Sequence, residues 1–178
     1  MNQDDQSLDG DIVRIAEQEQ RLRFAAFNEE TAWELGSRLR ALARDRGVAV
    51  TVEIRLARET VFLQAMPGTS PSNADWARRK RNTVELLGRS SYGVGRSHAK
   101  EGNSLEASMG LPTRDYANHG GAFPIRLADA GGGAVGGAVG GALIGVVTVS
   151  GLPQREDHAM VVEVLAAMCG VSPEAVMF

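Results

Sequence analysis

Apolar residues recur at helical spacing in four stretches of this chain and at strand spacing in the segments between them. From Asp11 to Phe24, Ile12, Ile15, Ala16 and Leu22 mark one face of a helix, and residues 1–10 before it read as a frayed polar tail. Asn28 stands where an N-cap belongs, and Glu29 and Glu30 follow in the first turn, where acidic side chains favour the helix dipole. Ala32, Leu35, Gly36, Leu39, Leu42 and Ala43 share one face, and Gly47 closes this second helix. Val48, Val50, Val52, Ile54 and Leu56 alternate with Ala49, Thr51, Glu53 and Arg55, the period of a strand buried on one side. Ala57-Arg58-Glu59 turns the chain into an antiparallel partner, Thr60 to Ala65, which Met66-Pro67-Gly68 ends. Ser72 or Asn73 caps a third helix that starts near Asp75 and runs towards Leu87, with Trp76, Thr83, Val84 and Leu87 inward.

Between Gly88 and Gly121 the periodicity fails, apart from one helical turn near Ser104 to Met109. A loop of this length in a compact domain is commonly functional or disordered. Phe123 to Leu127 and Leu143 to Val149 alternate again as neighbouring strands. The Gly-Gly-Ala-Val repeat between them carries no bulk for a core, and 131–142 reads as a Gly-rich hairpin insert. Asp157 to Met168 forms a fourth helix that Gly170 ends, and Ser172-Pro173-Glu174 starts a last short turn. Helices lying apart from hairpin-linked strands predict an α+β domain over residues 11–178, an antiparallel sheet with helices packed on it.

Composition narrows the function classes. A length of 178 residues with 43% apolar content supports one core without disulfide or metal, and the single Cys169 sits in a helical apolar pattern as a small buried hydrophobe. That cysteine usage and the acidic, polar N-terminus point to the cytoplasm. A net charge of −3 gives no global attraction to nucleic acid. The uncharged run from Ala130 to Gln154 holds nine glycines and is broken by Ser150-Gly151 and Pro153, so it does not read as a membrane helix.

Two phrases carry the candidate chemistry: His119-Gly120-Gly121-Ala122-Phe123-Pro124-Ile125, and Val147 to Pro153 running into Gln154-Arg155-Glu156-Asp157-His158. Each sets backbone without side chains against an apolar strand, so that a ligand or a neighbouring strand can approach closely. The second is a strand-to-helix corner, whose free N–H groups and dipole favour an anion or a carbonyl. No His-x-x-x-His or Cys-x-x-Cys spacing, nucleophile elbow or P-loop occurs.

With these phrases in place the chain resembles the GlcG/HbpS-like proteins, the heme-degrading domain family. The likeness runs from about Phe27 to Met168, and is nearest the branch in which Met66-Pro-Gly-Thr, Asn73-Ala-Asp-Trp-Ala-Arg-Arg-Lys80 and Asp157-His158 recur. The resemblance implies a profilin-like fold with a five-stranded antiparallel sheet flanked by helices, assembly into homo-oligomers, and heme binding or breakdown. It also singles out Lys80, one turn after Trp76, as pointing inward, where it could hold a carboxylate or a heme propionate.

The leading expectation is therefore an oligomeric cytoplasmic protein that binds a small molecule, heme or a related anion. Lys80, His119, Gly120, Gly121, Ser150, Gly151, Asp157 and His158 are the candidate ligand-binding residues, with His119 the candidate metal ligand. No acid, base and nucleophile set stands out, and the catalytic residues stay unassigned. The other reading is a homo-oligomeric protein-interaction module without small-molecule chemistry. In either case Tyr92, Met109, Leu111, Tyr116 and Phe123, lying in irregular sequence, call for burial at a subunit interface in or beside the 88–123 loop.

Overall fold

A computed structural model gives the fold, and it describes residues 3–128 and 141–178. In chain order the elements are α1 (Gln3–Arg21), α2 (Glu29–Asp45), β1 (Thr51–Leu56), β2 (Glu59–Ala65), α3 (Pro71–Leu87), α4 (Ser91–Glu101), α5 (Leu105–Met109), β3 (Ala122–Arg126), β4 (Leu143–Ser150) and α6 (Gln154–Cys169). A short 3-10 turn over Pro173–Ala175 follows.

The strands pair antiparallel in the order β2-β1-β4-β3. The α+β class holds, but among the described residues the sheet has four strands rather than five. At the outer edge of β3 the described residues add a single bridge, Phe24 to Leu127, which does not extend into a strand. The insert read at 131–142 lies outside the described residues, except for Gly141 and Ala142.

Alternation sorts the two faces of the sheet. Val52 and Ile54 of β1, Val147 and Val149 of β4, and Phe123 and Ile125 of β3 share one face and form the core with Leu35 and Leu39 of α2 and Met160, Val161 and Leu165 of α6. Burying each of these large side chains contributes about 1.5–3 kcal/mol. The other face carries Thr51, Glu53, Val146, Thr148 and Ala122, and α3 lies across it through Ala77, Lys80, Thr83 and Val84. That second interface is small and polar, so a lysine can pass through it.

Capping follows the chain chemistry. The Asn28 side chain accepts the Thr31 N–H at 3.0 Å, and Asn73 Oδ1 accepts the Ser70 N–H at 2.8 Å ahead of Pro71. α3 thus starts four residues earlier than the pattern predicts.

Two stretches differ further. α1 begins at Gln3, within the segment expected to fray. Nearly half of the supposed 88–121 loop is helical: α4, capped by Ser90, is not expected from the pattern, while α5, capped by Ser104, falls where one helical turn is. Tyr92 and Phe123 are consequently buried within the chain itself, while Met109 stays exposed.

Candidate functional site

The two glycine phrases meet. Gly120-Gly121 enters β3, Ser150-Gly151 leaves β4, and the N-terminal turns of α3 and α6 converge on them. The result is an open cleft of about 290 Å³ lined by Ser72, Asn73, Trp76, Lys80, His119 and Gly120 on one side. Ser150, Gly151, Leu152, Gln154 and Asp157 complete it.

The glycines are there for approach. A Cβ on Gly120 would stand 2.0 Å from the Gln154 carbonyl oxygen. Gly121 holds φ +122°, and a Cβ there would stand 2.3 Å from the Val149 carbonyl oxygen and 2.6 Å from Lys80 Nζ. Only glycine allows the His119 loop to lie this close to β4 and α6.

Beneath the cleft floor Lys80 reaches through the α3–sheet interface. Its ammonium donates to Gly120 O, Val149 O and Asp157 Oδ2, each at 2.8 Å. Burial pushes the Lys80 pKa down and the Asp157 pKa up, and their mutual attraction opposes both shifts. Three acceptors around one nitrogen require three N–H donors, so the bonding is that of the ammonium form. Asp157 accepts the Leu152 N–H at Oδ1, 3.0 Å, and the Gly151 N–H at Oδ2, 3.4 Å. One buried ion pair therefore ties α3, the His119 loop, β4 and the β4–α6 corner together. The inward orientation of Lys80 matches expectation, but its donors are all taken by the protein, which corrects the idea that it grips a ligand carboxylate.

His119 sits at the mouth. Its ring meets Trp76 edge-on with centroids 4.8 Å apart, and the Arg79 guanidinium lies 3.9 Å over the Trp76 ring. Arg79 itself is engaged by Thr113 O and Asp75. The outer side of His119 is exposed, and neither ring nitrogen has a hydrogen-bond partner among the described residues. Enclosure of its inner side, then repulsion from Lys80 and Arg79, hold its pKa below the ordinary 6.5, so the imidazole is neutral at pH 7.

His158 belongs elsewhere. It is fully buried on the far side of Asp157, where Nε2 lies 2.8 Å from Gln18 Oε1 among Tyr92, Phe123 and Phe178. It does not line the cleft, which takes it out of the ligand-binding set.

Ser72, Asn73, Trp76, Leu152 and Gln154 are cleft residues that pattern reading placed only as caps, inward faces or turns. Their one common signal is position beside a helix N-terminus. A wider depression of about 550 Å³ runs past Arg23, Arg38 and Cys169. Burial pushes the Cys169 thiol up to about 11, so it is not a thiolate at neutral pH.

Among the described residues no helix is long and apolar enough to cross a membrane. Comparison with known proteins gives consistent results. The chain is 54% identical over 162 residues to a UPF0303 protein of Azotobacter vinelandii, covering 91% of each. The Ybr137w protein superposes with a TM-score of 0.76 at 26% identity over 89% of this chain and 87% of that one. A chain solved as a PduOC:heme complex superposes with a TM-score of 0.64 at 19% identity, over 80% of this chain and 94% of that one, and shows a shared fold. The family model described as "Haem degrading protein HbpS-like" matches residues 27–166. On that match the chain belongs to the HbpS-like family.

Proposed function

We propose that the protein binds a small anionic ligand in this cleft, and that the ligand is heme held through His119. The observation that carries the reading is an imidazole kept neutral, open on its outer side and with neither ring nitrogen bonded among the described residues. Neutral imidazole is the form that ligates heme iron. Trp76 beside it fixes the ring and offers an apolar wall. Among the described residues no three His, Cys, Asp or Glu side chains gather into a metal site, so iron already held by a porphyrin and needing one protein ligand suits the donors present. The family description and the heme-bound structural neighbour support the same ligand. When bound, heme would supply the iron chemistry, while the chain supplies position, shape and electrostatics.

Titrating the protein with hemin is expected to give a saturable Soret shift. His119→Ala, a change at an exposed side chain, should weaken binding at least tenfold and move the band. Because the His119 pKa is depressed, binding should fall less at pH 6.5 than it would with an ordinary imidazole, which is half protonated there. Unsaturable absorbance in the wild type would overturn the reading.

The proposal includes a homo-oligomer, supported by the large apolar side chains Trp33, Leu63, Leu86 and Met109 left exposed on the single chain. Light scattering after size exclusion should give at least twice the 18.9 kDa chain mass. A monomer at tens of micromolar would remove it.

A further inference from the structure

Ser150 stands at the cleft end of a row of hydroxyls on the sheet. It is only 3% exposed, it lines the cleft, and its hydroxyl makes no hydrogen bond among the described residues. Two more hydroxyls share its face of the sheet. Thr51 is its cross-strand neighbour, and Thr148 lies two positions back on β4. Both are buried, and neither Oγ1 has a partner among the described residues. Buried hydroxyls without partners cost about 1–3 kcal/mol each, and of these three Ser150 is the one that lines the cleft, where a ligand can supply its partner.

The adjacent helix end is also unfinished. α6 has Pro153 at its N-cap, a residue with no side-chain acceptor. The Glu156 and Asp157 N–H groups donate to Pro153 O, at 2.8 and 3.0 Å. The N–H groups of Gln154 and Arg155 have no acceptor among the described residues, and Gln154 lines the cleft. These amides carry the positive end of the helix dipole.

We infer that the Ser150 end of the cleft is a carboxylate subsite, in which the Ser150 hydroxyl and the first-turn amides of α6 hold one carboxylate of the ligand. The charge balance selects a singly charged group. The neighbouring Asp157 is neutralised by Lys80 and has both oxygens occupied by donors, so it does not repel the ligand as a free anion would. Glu156 is exposed, where solvent and salt screen its charge. Among the described residues no nearby cation is left over: Lys80 is saturated, and Arg155 is bonded to Asp11 and stacked on Phe178. Neutral donors with a helix dipole suit a carboxylate, whereas a phosphate dianion calls for Arg or Lys.

The inference rests on the cleft being a binding site, and it deepens the heme reading by assigning a propionate its place. A small free carboxylate would satisfy the same donors, so the test separates the two sources. Ser150→Ala removes the hydroxyl. Gln154→Pro removes a single N–H at the first helical position, where proline is favoured, and the preceding Pro153 already has the ψ of 142° that a following proline requires. Full-length protein is titrated with hemin and with hemin dimethyl ester, followed by the Soret band, and with benzoate and benzamide, followed by backbone amide resonances.

If a propionate occupies the subsite, hemin binds about tenfold tighter than its ester, and each variant brings hemin down to the ester's level without changing the ester. If the natural ligand is a free carboxylate, hemin fails to saturate. Benzoate then shifts the Gln154 amide saturably, benzamide does not, and Ser150→Ala abolishes the effect; the subsite stands and the heme reading falls. Should both variants bind hemin and benzoate as the wild type does, or should neither carboxylate bind saturably, the subsite is overturned. In the first of those cases a hemin site dependent on His119 would survive it.

Discussion

Lys80→Met should destabilise the protein by about 3–5 kcal/mol, because it leaves the Asp157 carboxylate buried without its counter-ion. The Lys80 ammonium makes three hydrogen bonds of 2.8 Å from a side chain that is 3% exposed. Methionine fills the same space but donates nothing, so the Gly120 and Val149 carbonyls lose a donor together with Asp157. A domain is typically stable by about 5–15 kcal/mol in total, so the loss is a large share of it. In thermal denaturation the midpoint should fall by roughly 10 °C. Adding Asp157→Asn should restore part of the loss, since the amide retains an acceptor for the Leu152 N–H and carries no charge. The penalty of Lys80→Met should also shrink in acid, because the folded state then gains by protonating Asp157. Losses that simply add in the double variant, or a loss under about 1 kcal/mol, would show that the pair does not hold the corner together.

The same pair shows what a sequence can and cannot reveal about such a site. The resemblance and the helical spacing from Trp76 turn Lys80 inward, and the glycine phrases mark the two loops that meet. Saturation of the ammonium is invisible in the sequence, because two of its three acceptors are main-chain carbonyls 40 and 69 residues away. His119 and His158 look alike as histidines beside glycine or acid, and only the packing of α1 and the C-terminal residues against α6 decides which one is buried. Ser150 was legible as part of a corner, but its missing partner was not.

The hidden helix α4 has a clear physical cause. Its sequence, Ser91-Tyr92-Gly93-Val94-Gly95-Arg96-Ser97, has two glycines in three residues, and each costs about 1 kcal/mol of helix stability relative to alanine. Those glycines are demanded by packing. A Cβ on Gly93 would stand 2.9 Å from Ile15 Cγ2, and one on Gly95 would stand 2.0 Å from the Asn118 carbonyl oxygen. Tertiary contact with α1 and the His119 loop both requires the residues that spoil the local signal and supplies the energy that replaces it. The strict alternation of Val48 to Leu56 survives because its strand is central and paired on both sides, with an apolar face on the core and a polar face, Thr51, Glu53 and Arg55, towards α3.

Acid should unfold this protein earlier than its carboxylates alone would dictate, and His158 is the reason. Burial among Tyr92, Phe123 and Phe178, with a lesser contribution from Arg155, lowers its pKa to about 3. The neutral tautomer is fixed by its neighbour. Gln18 Nε2 donates to Val176 O at 2.6 Å, so Gln18 Oε1 is left to accept, and His158 Nε2 carries the proton it donates across 2.8 Å. Nδ1 is then a buried lone pair without a donor. Protonating it would place a cation in an apolar pocket. The unfolded chain titrates near 6.5, so between pH 6.5 and about 3 the unfolded state binds a proton that the folded state refuses. Stability contributed by this group is complete above pH 6.5 and declines below it by about 1.4 kcal/mol per pH unit. At pH 5 the loss from His158 should be about 2 kcal/mol, measured by urea unfolding across pH. His158→Phe keeps a ring in the same aromatic cluster and removes the titration, at the constant cost of an unpaired Gln18 Oε1. The wild type should therefore lose stability more steeply than the variant between pH 6.5 and 5, by close to one proton. Parallel curves over that interval would mean that the buried imidazole is not what acid attacks.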